Sequence, residues 1–458
     1  MKQKKKQKKK KKGKERLDER IIVKHEIQEV QEIQEDQYHH YIPRFLLMNF
    51  AINNYGRIFV GNDKLYKEKK HRQNFKDWNK KEALLQTYDK ENGQIINYLV
   101  KKTYGYMNMY KDLNNKDVMY VEKELSKLEG KASITIRHII NASQTKNEIV
   151  LIRKHLENLR KFLFIMNYRK RHRWSQFADE KFDSITWALL QKHMEEHKLK
   201  KAHEAWLQNI RGILETPHND IKDDSRIFSV DRADYQLRMV DCFLVIWQAG
   251  DNDEFITTSN GFGIFEGVSG IGPFGPFQLA HHWFYVISPK LVLVLCNHGT
   301  EIIGSKFSKS ILEDAPHPRP IPKYAPISKS SRSIGETAFD EQLRRMGFQR
   351  TENDTFTFPF TKISSDTVNL VNSVLLNEIE PDLILTFRYP SYLYKTIVKY
   401  HKHKEVKEIG LCEHDFTDLK RMLFKELNKT HEEDLNLRKN IPDGHINTWI
   451  VREIDSNR

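Results

Sequence analysis

The sequence predicts an α+β fold: a central layer of long helices, a small N-terminal β element and a mixed C-terminal half. Two patterns carry this reading. Apolar residues recur at three- and four-residue spacing through three long central segments. Short apolar or aromatic runs bounded by turn residues stand before and after those segments rather than alternating with them. The hydrophobic share, 39% of 458 residues, is low for a globular chain, but its patterning is enough for a sizeable core.

Residues 1–36 are expected to be a disordered leader. Ten lysines crowd positions 2 to 14, and Glu26, Glu29, Glu32 and Glu35 follow without a wide apolar face. Pro43 opens a short helix over 43–50, a place where a missing N–H needs no partner, and pushes Ile42 to an extended conformation. Short strands are expected at 56–60, 84–88 and 95–99. The last two are joined by Asp89-Lys90-Glu91-Asn92-Gly93, which has hairpin-turn chemistry. One helix starts at Asp117, with Val118, Val121, Leu125, Leu128, Ala132, Ile136 and Ile139 on one face. Asn147 opens a second, through Ile149, Ile152, Leu156, Leu159, Leu163 and Met166, and a third runs from about Asp183 to Leu214.

Beyond them, strands are expected at 243–248, 254–258, 284–287, 290–295, 355–360 and 382–387, with helices at 368–379 and 391–401. Six glycines between Gly261 and Gly275, with Pro273 among them, read as a mobile loop over a cleft, because a phosphate-cradling loop would open directly into a helix. Residues 312–335 read as a long loop. The expected organisation is a single domain over 37–405, followed by a polar tail, 406–458, holding one amphipathic helix at 416–427.

The formal charge of +14 belongs mostly to the leader. Residues 1–16 carry +10, so +4 is left for the other 442 residues. A body gripping a nucleic-acid backbone along a large surface would be more basic. The lysine block is a candidate polyanion contact, nucleic acid included, and a candidate nuclear-localisation signal. Cys242, Cys296 and Cys412 form no C-x-x-C pair, so neither a disulfide framework nor a zinc ribbon is indicated. With no apolar stretch behind the lysine-rich start and none long enough to span a bilayer, the expectation is an intracellular protein, nuclear or cytoplasmic, neither secreted nor transmembrane.

His40-Tyr41-Ile42-Pro43-Arg44-Phe45-Leu46-Leu47-Met48-Asn49-Phe50 resembles the opening HYxP motif of the family known as domain of unknown function 4238. Gln86–Asp89, Glu124–Glu129, Glu254–Ser259 and Ile287–Pro289 are similar to later segments of that family, so the resemblance covers about 39–402. It departs at Ser259-Asn260-Gly261, where the family usually runs Ser-Asp-Pro. The resemblance implies architecture and candidate positions, with no activity attached.

The candidate catalytic residues are His40, Ser259 and Asn260. A histidine can act as a base near neutral pH; at a packed corner beside a proline it can equally fix the backbone. Arg44, Asn49, Arg169, Arg171, Arg173 and Trp174 are candidate binding residues. The run Tyr168–Trp174 interleaves cationic and aromatic side chains, as single-strand contacts do, and would also place cations at the end of a long helix. His193-Met194-Glu195-Glu196-His197 matches the H-x-x-E-H pattern, making His193, Glu196 and His197 candidate metal ligands. Twenty histidines make such a match easy to obtain by chance, and the flanks read as a solvated helix face. No Cys/His cluster of metal-binding spacing, G-x-S-x-G or P-loop occurs, and no cofactor is indicated. Two functional readings stay open: a non-enzymatic interaction protein whose basic tail contacts acidic polymers, and a nuclease-like hydrolase using His40 near Ser259 and Asn260 or the His281-His282 pair.

Overall fold

The computed structural model describes residues 36–52, 83–112, 115–272, 275–297, 310–325, 350–377, 384–402 and 415–438. Residues 1–35, the strand expected at 56–60 and Cys412 lie outside them. The described chain runs β1 (Tyr38–His40), α1 (Arg44–Leu47), β2 (Leu84–Asp89), β3 (Gln94–Leu99), β4 (Gly105–Met107), α2 (Tyr120–Ser143), β5 (Glu148–Ile152) and α3 (Arg153–Tyr168). Next come α4 (Arg171–Ala178), α5 (Ser184–Glu196), α6 (Ala202–Glu215), α7 (Ser229–Tyr235), β6 (Phe243–Gln248), β7 (Thr257–Thr258), β8 (Phe262–Gly272) and β9 (Gly275–Ser288). The C-terminal part comprises β10 (Leu291–Cys296), β11 (Ile321–Lys323), β12 (Thr355–Lys362), α8 (Ser365–Asn377), β13 (Ile384–Phe387), α9 (Pro390–Tyr400) and α10 (Thr417–Arg438). Helices and mostly antiparallel sheets in separate runs make this an α+β fold.

Three sheets organise the described chain. β1 pairs with β4 alone. β3-β2-β13-β7 form a second sheet, with the expected 84–99 hairpin at its edge and Gly93 in the left-handed region at its turn (φ +61°). The largest runs β11-β12-β6-β10-β9-β8, with β5 also on β12. Among the described residues its one parallel pair is β12 with β6, Phe360 opposite Ile246. All six residues of β10 are buried, as the uninterrupted Leu-Val-Leu-Val-Leu-Cys run requires of a strand covered on both faces. α3 lies against this sheet, and Phe162 to Tyr168 are buried without a break, so the helix is enclosed all round.

Several expectations are corrected. Residues 148–152 form strand β5, not the start of a helix: Ile149, Val150 and Ile152 are β-branched, and the segment finds a partner in β12, Ile149 opposite Phe358. The third expected helix is two. α5 starts where expected, its first N–H groups accepted by Asp183, but Lys198 turns the chain through the left-handed region (φ +57°) before α6 begins. The glycine-rich stretch is not a loop but the β8–β9 hairpin, with Phe265 opposite Trp283. Its glycines serve the irregularities of that ladder. Gly263 (φ +70°) and Gly267 (φ +153°) sit at the two register shifts, and a Cβ on Gly263 would stand 2.8 Å from Asn167 on α3. Residues 168–174 end one helix and begin the next, rather than lying wholly at a helix end. α3 ends at Tyr168, Lys170 is extended (ψ 156°), and Arg171 and Arg173 begin α4, so they stand at the positive end of a helix dipole. The amphipathic helix expected at 416–427 is longer, 417–438, and it is docked: Phe416, Leu419 and Leu423 are buried, and Phe416 meets the Tyr400 ring edge-on.

Candidate functional site

Side chains alternate along a strand, so His39 and His40 point to opposite sides of β1. His39 is buried, and its Nδ1 accepts the backbone N–H of Tyr110 at 3.1 Å. That fixes the proton on Nε2. Burial is the main reason the ring is pushed down to about 4, so it stays neutral. His40 lies beside Tyr38 on the other side and gives its Nδ1 hydrogen to the Thr103 carbonyl at 3.0 Å. Burial again lowers its pKa most; the Thr103 carbonyl opposes this, and the charges of Arg44 and Arg169 add to the lowering.

Arg169 follows the last turn of α3. Its guanidinium is 1% exposed, and Nη2 donates to Glu129 of α2 at 2.7 Å. Tyr110 hydrogen-bonds the same guanidinium. Glu122, two turns before Glu129 on the same face of α2, is held above the ordinary carboxyl value, first by burial and then by the Glu129 charge, with Arg169 opposing. His40, Arg169, Glu122 and Glu129 therefore form one electrostatic group drawn from β1, α3 and α2.

Asn260 approaches the same turn from the other side. Its Oδ1 accepts the backbone N–H of His172 at 3.4 Å, one of the first-turn donors of α4 that has no partner within the helix. This gives a physical account of the departure at that position: asparagine keeps the acceptor that an aspartate would supply. Ser259 is engaged elsewhere. Its N–H donates to Ile384 O at 3.1 Å and its Oγ accepts from Ile384 N at 3.3 Å, extending the β13 edge of the second sheet. Tyr110, whose hydroxyl donates to the His40 carbonyl at 3.4 Å and bonds the Arg169 guanidinium, thus links β1 to one end of the Arg169–His172 turn, Asn260 meets the other end, and the Ser259 hydroxyl is bound into a sheet.

The candidate binding residues divide as well. Arg171 lies over the Tyr106 ring, 5.9 Å from its centroid, and Tyr106 stacks on Trp174 at 4.7 Å and on Tyr41 at 5.6 Å. Arg44 is exposed on α1. Arg173 instead pairs with buried Asp231 at 2.7 Å and packs over Tyr168 and Phe177. Asn49 donates to the Ile287 carbonyl at 2.8 Å, tying the turn after α1 to β9.

His193 and His197 face each other at 4.5 Å between ring centroids, but His197 Nε2 donates to the Ser225 carbonyl and Glu196 lies by Lys192 on an exposed helix face. Among the described residues the one group of three metal-type side chains is His282, Cys296 and His317. His281 and His282 thus belong to the large sheet's end rather than to the His40 turn. The sequence reading missed this group because its members lie 14 and 21 positions apart on two strands and a loop. Only a strand register placing Cys296 opposite His282 reveals it.

A family model described as "Protein of unknown function (DUF4238)" matches residues 38–380. No curated protein and no solved structure matches the chain.

Proposed function

The chain belongs to that family of proteins of unknown function, and from its own geometry we propose that it is an interaction protein that binds an acidic polymer, single-stranded nucleic acid foremost. One observation carries the reading: β1, the first strand among the described residues, pairs with β4 so that His39 stands opposite Tyr106, the ring beneath Arg171 and beside Trp174. In sequence, the +10 of residues 1–16 precedes the strand that pairs beside this arginine-capped aromatic stack. Clustered lysine charge supplies sequence-independent affinity, and an ordered cation with an aromatic edge supplies a fixed anchor. Fluorescence anisotropy of the full chain with single-stranded RNA, duplex DNA and polyglutamate tests this. Single-stranded RNA should bind best, and Arg171→Ala and Trp174→Ala should each weaken it. Equal binding of all three by wild type and variants contradicts the anchor.

The lysine block supports a nuclear address as well; a reporter fused to residues 1–20 that stays cytoplasmic contradicts it. No helix among the described residues is long and apolar enough to cross a membrane. A hydrolytic reading has one observation in its favour: Tyr110 links the His40 backbone to Arg169, three residues before the His172 N–H that Asn260 accepts. It requires turnover of nucleic acid by the full chain and its loss in His40→Ala.

A further inference from the structure

Three neighbouring strands of the large sheet put Glu266, His282 and Cys296 in one cross-strand row: Glu266 is opposite His282, and His282 is opposite Cys296. Directly opposed residues share a face of the sheet. His317 reaches the row from the segment before β11, its ring stacked on His282 at 4.7 Å between centroids. That segment is pinned in place, since Trp247 Nε1 donates to the Pro316 carbonyl at 2.8 Å.

The hydrogen bonds around the row select one tautomer for both rings. His282 gives its Nδ1 hydrogen to Glu266 Oε2 at 2.9 Å, so its lone pair is on Nε2. The Glu266 carboxylate is itself held by Ser310 Oγ at 3.0 Å and the Ile311 N–H at 2.9 Å, which leaves it unable to turn away. His317 bonds the Ala315 backbone, and its Nε2 is buried without a hydrogen-bond partner. An orphaned ring nitrogen in such a place costs free energy unless something meets it. One potential ligand atom from each of His282, Cys296 and His317 lies within 4.8 Å of the other two. A tetrahedral ion with bonds of about 2.0–2.3 Å spaces its ligand atoms by about 3.3–3.7 Å, so small side-chain rotations close the set.

We propose that His282 Nε2, His317 Nε2 and Cys296 Sγ form a zinc site, with Glu266 as the carboxylate that orients His282. Two imidazoles and a thiolate suit zinc above the hard cations. The carboxylate–histidine–metal arrangement is the usual outer support of such a ligand. On binding, the Cys296 S–H bond breaks, the metal–thiolate bond forms, and the proton leaves to buffer. Three protein ligands leave a fourth position for a water or another small ligand. This site is separate from the Arg171 anchor, so it stands whether or not nucleic acid binds.

The test uses the full chain, stripped with a chelator and then titrated with Zn²⁺ and with Co²⁺ as a spectroscopic probe. One ion per chain is expected, with a thiolate-to-cobalt charge-transfer band. Cys296→Ala should remove the band and His317→Ala, on a partly exposed loop residue that does not hold the core, should weaken binding at least about 10-fold. Glu266→Gln should weaken it about 10- to 100-fold with the stoichiometry kept. Cys242→Ala should change nothing. Failure of the stripped full chain to take up either metal overturns the site. So does metal retained with unchanged affinity and an unchanged cobalt spectrum in His317→Ala, whose folding is checked by circular dichroism.

Discussion

The His40 ring donates its Nδ1 hydrogen to the carbonyl of Thr103, 63 positions along the chain, at 3.0 Å. The bond ties β1 to the turn before β4, so this histidine holds the start of the fold together. Removing it leaves a partly buried carbonyl without that donor. His40→Ala should cost about 1–2 kcal/mol in denaturant unfolding at neutral pH, and His40→Asn, which keeps a donor, should cost less. Unchanged stability in His40→Ala would mean the bond is not what positions β1.

Arg169 is the buried cation facing Glu129 and Glu122. Arg169→Met should be destabilising by about 3 kcal/mol, because the two carboxylates along that face of α2 are then left without a compensating cation. The deficit should be larger at pH 8 than at pH 5. Without the guanidinium the opposing pull on the already raised Glu122 carboxyl is lost, its folded pKa rises further, and folding stability then falls as pH rises through it. Arg169→Lys should recover only part, since an ammonium cannot reproduce the guanidinium fork. Equal deficits at the two pH values would contradict the carboxylate argument.

Glu254 is pushed up to about 7 by burial, with Lys290 and Arg388 opposing, and its Oε1 has no hydrogen-bond partner. A carboxyl whose folded pKa exceeds its unfolded value takes up a proton on folding between the two. Its favourable contribution is therefore present at low pH and lost as pH rises through about 7. Glu254→Gln should flatten this dependence, raising stability at pH 8 by up to about 3 kcal/mol while changing little at pH 4. Unfolding free energies of both proteins at the two pH values decide it.

Two glycine substitutions should move stability in opposite directions. Gly263→Ala places a Cβ 2.8 Å from Asn167 at φ +70°, and should cost about 1–3 kcal/mol. Gly130→Ala, inside α2 with nothing within 4 Å of the added atom, should gain about 0.5–1 kcal/mol. Thermal melts of the pair would show whether the β8 irregularity is a packing requirement.

Periodicity made α2 legible, because its buried residues, Val121 through Ile139, are the ones a 3.6-residue repeat selects. It failed at β5 for an instructive reason: Ile149 and Ile152 fit a helical face as well as a strand, and the strand won through its pairing with β12. The glycine-rich hairpin was illegible because its ladder is interrupted by two register shifts, which destroy the alternation that marks a strand. Part of the site was visible. His40, Arg169 and Asn260 could be singled out by residue type, and the fold ties them through Tyr110 and the His172 N–H. Glu122 and Glu129 could not be, since on α2 they read as ordinary exposed helix charges. The separation of Arg171 from Arg173 depended on Asp231, which is 58 positions from Arg173 in sequence.

The central claim, that the leader's lysines and the Arg171–Tyr106–Trp174 stack grip one polymer together, is tested most directly by the salt dependence of single-stranded RNA binding. Three full-length proteins are needed: the wild type, a chain with the lysines of residues 1–16 changed to glutamine, and Arg171→Ala. The wild type should lose affinity steeply with salt, with a slope of about −0.7 per phosphate contacted. The leader variant should show a much shallower slope but keep measurable binding. Arg171→Ala should bind more weakly at every salt concentration, with the slope reduced by about one phosphate. Identical affinity and slope in all three proteins would contradict the claim, as would a wild type that fails to bind even at low salt.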